Sequence, residues 1–537
     1  MSLAFGCYQL ILPHVFAGVS GWDEGYDEGV YVGAAVRFVH GVLPYRDFVL
    51  VHPPGYLLLM SPLALFGNAF GSLFTLEVAR SITMVVMALN AVLVGLIMRP
   101  LGRVATATAS FALALWPLSV AVERSVELEP FLVLFCLLGT FLIFDSGNFA
   151  SWRRVLFGGV AYGFAVEVKV WAVLPIIALA LVSLPRWRTR GAPLALGIAA
   201  GAIVPGLPFF LAAPHAFVHD VIADQYFRHD NPVAVTLHQR LLGLTGIDRL
   251  PSIGPRTGLA VAICIFFGLV VVWVYVVGRR HIVPLEWFAL VATIVVFVGM
   301  FREPTLPEFY SYFPAAFVAL LAGVCVSRAL WAAVALVRRR FGHDGRAVRA
   351  ARATRAAPVV AVALALAVAC LLIQQEVVYA QSYLLHNSDP SSELASTIPA
   401  GACVISDVPE VLLAANRFTP ARQGCPAEVD PFGSYLSEDN GQSPYTAVPP
   451  YSMAFEEQWF SYLEVADYVV LSVPYSNFFP WASPTVSWFS ENYKLVAHST
   501  YEYPQPPQIV QEILPTHSIF PRKEDVYIYK NISGARN

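Results

Sequence analysis

The sequence of residues 155–184 is VLFGGVAYGFAVEVKVWAVLPIIALALVSL, an apolar block whose two charged residues are Glu167 and Lys169. A single helix of this length would measure about 45 Å, which exceeds a hydrocarbon core of about 30 Å. Arginines flank both ends of the block, so the positive-inside rule places both ends on the cytoplasmic side of a membrane. The block must therefore cross an even number of times, and it predicts two short helices that meet near Lys169.

The rest of the chain shares this apolar character. Of its 537 residues, 57% are hydrophobic and 13% are charged, and the mean hydropathy is +0.60. A soluble globular protein carries roughly a quarter charged residues. Together with the block above, the remaining apolar runs predict an α-helical polytopic membrane protein with about eleven transmembrane helices. These runs lie at 3–19, 78–98, 104–122, 130–145, 191–213, 257–278, 282–300, 313–337 and 357–376.

Basic residues occur in alternate loops and predict the orientation of the chain. The positive-inside rule places these loops in the cytoplasm, with the N-terminus inside and the C-terminus outside the cell (plasma) membrane. No long basic block occurs outside Arg338 to Arg355, and the net charge is only -3, which argues against a nucleic-acid partner. The flanking residues are Arg99, Arg103, Arg153, Arg154, Arg186, Arg188, Arg190, Arg279, Arg280 and Arg338 to Arg340.

The segment 53–80 is apolar but contains proline and glycine residues that interrupt it. We predict an interfacial helix over 54–66, because a membrane hairpin here would need two further crossings by short pieces. The first apolar run, 3–19, shows no basic region before it and no secretory cleavage pattern, so we expect it to remain as a helix.

Residues 377–537 differ in character from the membrane region 1–376. Short apolar stretches alternate here with proline, glycine and asparagine, which is typical of strands separated by turns. We predict a small mixed α/β domain of about 150 residues outside the membrane. Its strands are predicted at Cys403–Asp407, Tyr468–Ser472, Lys494–His498 and Asp525–Tyr529, with a helix at 408–416.

Two of the seven cysteines, Cys403 and Cys425, lie in polar sequence. If the C-terminal domain is extracytoplasmic, these thiols can form a disulfide. The bond would close a loop of about 20 residues and stabilise the domain by about 3 kcal/mol on the chain-entropy model. Two separate thiols are the alternative for a cytosolic domain. The other cysteines lie in apolar runs, where a thiol acts as a small hydrophobe; they are Cys7, Cys136, Cys264, Cys325 and Cys370.

The first external loop, residues 20–80, contains four carboxylates where the chain has just left the bilayer. They are Asp23, Glu24, Asp27 and Glu28. Unpaired acids near hydrocarbon are costly, which marks them as a candidate functional site, with a solvated loop as the alternative. Apolar residues at helical spacing after Glu28 predict a short helix along the membrane surface, with the acid pair at its start. Asp27 could also serve there as a simple N-cap.

Several short motifs follow one another over residues 20–320. They are Asp27-Glu28, Tyr31, Gly41, Pro44-Tyr45, Asp47, His52-Pro53-Pro54-Gly55, Phe66-Gly67, Glu123 to Pro130, Gly163 to Lys169 and Tyr310-Ser-Tyr312-Phe-Pro314. This order resembles the GT-C membrane glycosyltransferases, and in particular the dolichyl-phosphate-mannose protein mannosyltransferase-like group (family 39, ArnT-like).

The resemblance implies a helical bundle, a polyprenyl-phosphate sugar as donor and Asp27 as general base, with Glu28 beside it as a second catalytic candidate. The chemistry is consistent with one base. An inverting displacement of phosphate at an anomeric carbon needs a single carboxylate on the acceptor side. A retaining enzyme would need a nucleophile on the opposite face as well.

Substrate-binding roles are implied for residues at the outer helix ends. Glu129 matches an acidic position near the sugar or acceptor, with Glu123, Glu127 or a simple helix cap as alternatives. Lys169 needs an anion inside its apolar block, either a lipid-linked phosphate or Glu167. The further candidates are Arg302, Tyr310, Tyr312 and His52. For the two tyrosines, the alternative is a place in an aromatic belt at the membrane interface.

The loop 215–255 is rich in histidine and aspartate. It lacks a compact ligand motif such as His-Glu-x-x-His, so we predict substrate contact there and no metal site. The first loop also lacks an Asp-x-Asp pattern, although Asp23 and Asp27 could bind a divalent cation. The residues of the loop are His215, His219, Asp220, Asp224, His229, Asp230 and His238.

These features predict an integral-membrane glycosyltransferase. It would move a hexosyl or pentosyl group from a polyprenyl phosphate to a cell-envelope glycan, lipid or protein on the outer face. A transporter or flippase of lipid-linked substrates is the alternative, since it would also need intramembrane charges such as Lys169. An inactive relative that acts as a scaffold is a third. Most acids lie at outer helix ends and not at mid-bilayer, which favours surface chemistry.

Overall fold

The computed structural model describes residues 22–116, 125–227, 236–245, 256–277, 282–303, 308–341, 390–438, 451–476, 478–502 and 523–533. The predicted apolar runs 3–19 and 357–376 lie outside these residues, as does most of the arginine-rich segment from Arg338 to Arg355.

The described parts of residues 22–341 are almost entirely helical. A two-stranded antiparallel hairpin, β1 (Phe144–Asp145) and β2 (Asn148–Phe149), joins two of the helices. The helices are α1 (Trp22–Val39), α2 (Gly55–Phe70), α3 (Ser72–Met98), α4 (Arg103–Ala114), α5 (Leu128–Ile143), α6 (Trp152–Val168), α7 (Val173–Ser183), α8 (Ala192–Ala212), α9 (Pro214–Val218), α10 (Asp224–Phe227), α11 (Leu237–Thr245), α12 (Arg256–Val277), α13 (Pro284–Met300) and α14 (Tyr312–Phe341).

Within the described residues, three helical stretches are long and apolar enough to cross a membrane: Ser72–Leu101, Val170–Ala212 and Phe309–Ala335. Large apolar side chains such as Val204 and Leu211 lie exposed on α8, as expected for a surface that faces lipid. The total of eleven crossings and their orientation stay predictions. Shorter apolar helices lie at Gly55–Phe70, Leu128–Ile143, Phe267–Val276 and Pro284–Met300.

The predicted break near Lys169 is confirmed. Helix α6 ends at Val168, Lys169 has an extended backbone, and a 3-10 turn over Val170–Ala172 leads into α7. Pro175 lies in the first turn of α7, where its missing amide hydrogen leaves no helical bond unmade. Lys169 therefore belongs to neither helix and lies at the junction between them.

Glycines bring α6 and α8 into close contact. A Cβ atom at Gly163 would lie 2.2 Å from the Ile198 carbonyl oxygen, and one at Gly197 would lie 2.1 Å from the Leu156 carbonyl oxygen. The two backbones can approach this closely because neither glycine carries a side chain, which is the usual way in which membrane helices pack tightly. This contact fixes the end of α6 and hence the position of Lys169.

The described residues from 390 onward contain the four predicted strands, in a sheet of order β3-β4-β6-β5. Strand β3 pairs with β4 in parallel, and the other two pairings are antiparallel. The predicted helix at 408–416 is present as α16. The elements are α15 (Pro390–Thr397), β3 (Val404–Ser406), α16 (Pro409–Ala414), α17 (Pro431–Glu438), α18 (Met453–Val465), β4 (Tyr468–Leu471), α19 (Ser483–Asn492), β5 (Tyr493–Glu502) and β6 (Lys523–Asn531).

Both faces of this sheet are covered. Ile405 and Val469 belong to a core with Trp459 of α18, whereas the alternate residues Val404 and Val470 belong to the core that continues into the N-terminal helices. Successive strand residues point to opposite faces, so each core takes one set. The structure joins Cys403 to Cys425 in a disulfide beside β3.

A stripe of glycines on α1 lets the C-terminal part approach. A Cβ atom at Gly29 would lie 2.4 Å from the Glu410 backbone nitrogen, and one at Gly33 would lie 2.7 Å from the Phe418 ring. The Arg37 guanidinium lies over the same Phe418 ring, 4.8 Å from its centroid. Helix α1 therefore packs directly on α16 and the residues that follow it.

Two helix starts differ from the sequence-based prediction. Helix α1 begins at Trp22, so the prediction that Asp27 and Glu28 stand at its start is wrong: the pair lies inside the helix, and Asp27 is no N-cap. Helix α3 begins at Ser72, before the predicted run 78–98, because the side-chain oxygen of Asn416 accepts a hydrogen bond from the Leu73 backbone nitrogen at 3.2 Å.

Helix α2 also differs in extent. It continues from Gly55 to Phe70, beyond the predicted 54–66, and ends at Gly71, whose φ of 97° suits glycine.

Candidate active site

The buried charges of the N-terminal region meet where α6 breaks. The Lys169 ammonium donates a hydrogen bond to Glu129 Oε1 at 2.6 Å, and both side chains are buried. Glu129 lies in the first turn of α5, beside Pro130. From the sequence, Glu167 was a possible partner of Lys169. In the structure the partner is Glu129.

Two aromatic rings enclose the lysine. Its Nζ atom lies 3.8 Å from the Trp171 ring centroid and 4.2 Å from that of Tyr310, at cation–π distance. The two rings meet edge to face with centroids 4.4 Å apart. Lys169 is thus held by one carboxylate and two π faces. Trp171 was not predicted, although an aromatic residue two positions after a buried lysine was an available signal.

Glu127 adds a second buried acid just before α5. Its Oε1 accepts a hydrogen bond from the Ser125 hydroxyl at 3.0 Å, and its side chain is fully buried. Burial raises the pKa of Glu127 well above its usual value, and the negative charges of Asp27 and Glu129 raise it further. Glu127 therefore retains its proton more readily than an exposed glutamate. The other alternative acid, Glu123, lies outside the described residues.

Asp27 belongs to the same group of charges. Its carboxylate interacts electrostatically with Glu127 and Lys169. Burial, followed by the charge of Asp27, also raises the pKa of the Tyr31 phenol, one turn further along α1. Asp27 is half-buried, whereas Glu127 and Glu129 are fully buried. It is thus the most accessible acid of the three.

Glu28 has a different environment. It is fully buried, and its Oε2 accepts hydrogen bonds from Arg80 Nε at 2.9 Å and from the Val126 backbone nitrogen at 3.2 Å. Arg80 also binds Glu28 Oε1 and donates to Glu410 Oε1 at 2.7 Å. Glu28 thus ties α1 to α3 and, through Arg80, to α16, and its role as a second catalytic residue stays a prediction. A lone arginine inside an apolar run was the sequence signal for this partner.

His52 lies beside α1. Its Nε2 atom is 3.4 Å from the Tyr31 hydroxyl, and the Tyr45 hydroxyl donates to the His52 carbonyl oxygen at 2.7 Å. The Tyr31 ring also meets the Tyr56 ring, with centroids 5.6 Å apart. Tyr31 therefore links two polar positions of the first loop, because it contacts His52 and interacts with the charge of Asp27.

The remaining predicted residues divide into two groups. Tyr310 is one of the two rings that surround Lys169. The nearby Tyr312 hydroxyl accepts a hydrogen bond from Asn90 Nδ2 at 3.4 Å. Asn90 also donates to the Pro130 carbonyl oxygen at 2.8 Å. Arg302 is exposed just after α13, and no described contact joins its side chain to Lys169 or Glu129.

A second group of titratable side chains lies in the loop predicted to contact substrate. His219 Nδ1 is 3.7 Å from Asp220 Oδ1 and 3.4 Å from Asp224 Oδ1. Burial and the charge of Asp224 raise the pKa of Asp220 to about 7, and burial raises that of Asp224 to about 6. No compact ligand motif marks these residues in the sequence, yet the fold brings the three side chains together.

Comparisons with known proteins give structural likeness only, since no family model and no curated protein match the chain. It is similar to ArnT from Cupriavidus metallidurans bound to undecaprenyl phosphate, at a TM-score of 0.49 and 15% identity over 98% of this chain and 97% of that one. It is also similar to an Archaeoglobus fulgidus oligosaccharyltransferase tethered with an acceptor peptide, at a TM-score of 0.42 and 12% identity over 93% and 74% of the two chains.

A third similar structure is AglB from Archaeoglobus fulgidus in complex with an inhibitory peptide and a dolichol-phosphate. The TM-score is 0.38 and the identity is 12%, over 87% of this chain and 69% of that one. ArnT is a member of the group that the sequence motifs resemble, although likenesses at these TM-scores carry no functional argument.

Proposed function

We propose that the chain is a membrane glycosyltransferase that moves a sugar from a polyprenyl-phosphate donor to an acceptor on the outer face, by inversion, with Asp27 as general base. One observation carries the proposal: the half-buried Asp27 carboxylate lies in one electrostatic group with the buried Lys169 ammonium, beside apolar helices. A base and a cation within one group of interacting charges suit a neutral nucleophile and an anionic leaving group.

Each partner has a defined task in such a transfer. The acceptor oxygen forms a bond to the anomeric carbon while the bond from that carbon to the donor phosphate breaks, and the phosphate leaves with the electron pair. Asp27 takes the proton of the acceptor hydroxyl as the new bond forms. A single base on the acceptor side is sufficient for inversion, since only a retaining mechanism also needs a nucleophile on the opposite face.

Lys169 is suited to the phosphate. An ammonium group has three donors, and Glu129 takes one of them in the described structure. Preorganised cations in a site with little water stabilise charge that develops on a leaving group. Tyr310 and Trp171 hold the ammonium in place, and His52 adds an imidazole at the other end of Tyr31.

The contacts of α1 support an external location for this site and for the C-terminal domain. Tyr26 of α1 donates a hydrogen bond to Asp430 at 2.8 Å, and Arg80 bridges Glu28 to Glu410. The first loop and the C-terminal domain must therefore lie on the same side of the membrane. A disulfide such as Cys403–Cys425 persists in oxidising surroundings, which favours the outside of the cell membrane.

The decisive experiment measures sugar transfer in membranes. Membranes with wild-type chain or Asp27→Asn receive a panel of radiolabelled polyprenyl-phosphate sugars and native cell-envelope glycan, lipid and protein acceptors, with expression checked for both. A base at Asp27 predicts a loss of at least ~10²-fold. The matched control is Asp145→Asn, which alters an exposed acid of the β1–β2 hairpin that pairs with Arg154, and it should transfer as the wild type does. Equal transfer by wild type and Asp27→Asn would remove Asp27 as the base.

The helix break at Lys169 also favours a second candidate, a transporter or flippase of lipid-linked substrates. Such proteins often bind their cargo at discontinuous helices inside the membrane. Proteoliposomes that move a labelled polyprenyl-phosphate sugar between leaflets, with no transfer to any acceptor, would support this function in place of the glycosyltransferase.

A further inference from the structure

Three side chains with metal-binding atoms converge on the loop that follows α8. One ring nitrogen of His219 and one carboxylate oxygen each from Asp220 and Asp224 lie within 4.8 Å of one another. His219 and Asp220 lie on a π-helical turn, His219–Ala223, and Asp224 is the first residue of α10, which follows it. A π turn closes over five residues, so it brings His219 and Asp224 to the same face.

The separations between these atoms suit a single bound ion. A zinc ion with bonds of about 2.0–2.2 Å in tetrahedral geometry keeps its ligand atoms about 3.4 Å apart. His219 Nδ1 lies 3.4 Å from Asp224 Oδ1 and 3.7 Å from Asp220 Oδ1. The Ser437 hydroxyl of α17 lies 3.2 Å from both His219 Nδ1 and Asp220 Oδ1, where it or a water can complete the four positions.

A second observation, the burial and hydrogen bonding of the two carboxylates, also favours a cation here. Asp220 and Asp224 are each only 3% exposed. The second oxygen of Asp224, Oδ2, has no hydrogen-bond partner among the described residues. The charge of Glu438 acts on Asp224 as well, and it adds to the negative potential. When these two carboxylates are ionised, a positive charge beside them offsets the cost of burying them.

We propose that His219, Asp220 and Asp224 bind a divalent transition-metal cation, with zinc as the first candidate. An imidazole nitrogen with two carboxylates is a donor set that zinc and manganese accept, and zinc binds the more tightly of the two. Calcium and magnesium, which take oxygen ligands, fit this set less well.

The position of the site gives the ion a structural task. Asp220 Oδ2 accepts from the Leu50 backbone nitrogen at 3.3 Å, and Gln225 donates to the Val51 carbonyl oxygen at 2.8 Å. Ser437 belongs to α17 of the C-terminal domain. The bound ion therefore fastens the loop to the first external loop beside His52 and to the C-terminal domain. This binding does not depend on the transferase activity.

The test measures metal directly. Full-length protein purified in detergent is stripped with a chelator and dialysed, then titrated with Zn²⁺ alone or Mn²⁺ alone. Bound metal is counted by mass spectrometry, and the Tm is followed. We expect one ion per chain at this site, which is the one such donor set among the residues that the structure describes, and a higher Tm with metal. Asp224→Asn and His219→Gln should each weaken binding at least ~10-fold and lose the metal-dependent rise in Tm.

His498→Gln is the matched control. It removes the other histidine–aspartate pair of the described residues, in which His498 Nε2 lies 3.0 Å from Asp525 Oδ1, and it should bind metal as the wild type does. His219 is partly exposed, so its variant is expected to fold even if Asp224→Asn does not. The proposal is overturned if stripped wild type takes up neither ion. It is equally overturned if both folded variants bind as the wild type does, which would leave the three side chains in contact with one another and not with an ion.

Discussion

A lysine inside an apolar block has to meet an anion, and this followed from the sequence of residues 155–184 alone. Its partner did not follow. Glu167 stands two positions away, yet Lys169 binds Glu129, which lies 40 residues earlier in the chain. A contact over this distance depends on how α5 packs on α6, and local sequence patterns carry no record of that packing.

Glu127 leads to a prediction about pH. Burial and the nearby charges raise its pKa, so the folded chain keeps a proton that the unfolded chain gives up at a lower pH. Stability from this group is therefore complete below the unfolded value of about 4.3 and is lost as the pH rises through the raised pKa. In the site, ionised Glu127 adds a negative charge that repels a phosphate donor.

For a glycosyltransferase we therefore expect the KM for the polyprenyl-phosphate donor to rise as the pH rises through the raised pKa of Glu127. Glu127→Gln should keep the KM constant there, because its side chain cannot ionise. Glu491→Gln, which alters an exposed acid on α19, should keep the wild-type profile. Initial rates against donor concentration at several pH values decide the matter, and an unchanged profile in Glu127→Gln would show that this acid does not face the donor.

At the scale of helices and strands, the spacing of apolar residues and the local composition correctly predicted those elements that are defined by their own residues. The four C-terminal strands and the break near Lys169 are examples. Helix starts were less predictable, because partners distant in sequence define them. The cap on α3 comes from Asn416, and the early start of α1 coincides with a glycine stripe that fits α16.

That stripe gives a prediction for Gly29→Ala. The new methyl group would lie 2.4 Å from the Glu410 backbone nitrogen, so α16 must move away from α1. Overpacking of this kind costs about 1–3 kcal/mol. We expect faster hydrogen exchange over Pro409–Ala414, together with weaker transfer activity. The matched control is Gly268→Ala, since a Cβ atom there meets nothing within 4 Å and alanine favours a helix. Equal exchange in both variants would show that α16 adapts without cost.

At the scale of the whole molecule, buried polar contacts join the first and last described parts of the chain, in addition to their shared apolar core. Arg80 joins Glu28 to Glu410, and the Tyr26 hydroxyl both donates to Asp430 and accepts from the Phe432 backbone nitrogen at 2.7 Å. The sequence predicted a separate C-terminal domain, but it could not show that this domain supports the helix that carries Asp27. Arg80 stands out as a charge inside an apolar run, but its partners Glu28 and Glu410 come from distant segments, and no local pattern pairs them.

These contacts require the first loop and the C-terminal domain to share one side of the membrane, and the arginine pattern predicts that side to be the outside. Single cysteines placed at Asp47→Cys and Ser487→Cys, both exposed positions, should react with a membrane-impermeant maleimide in intact cells. Thr189→Cys, exposed in the arginine-flanked turn after α7, should react only after the cells are permeabilised. The parent chain measures the background from native thiols. Labelling of Asp47→Cys without Ser487→Cys would contradict the docking of the two parts, whereas labelling of Thr189→Cys alone would reverse the orientation and place the site in the cytoplasm.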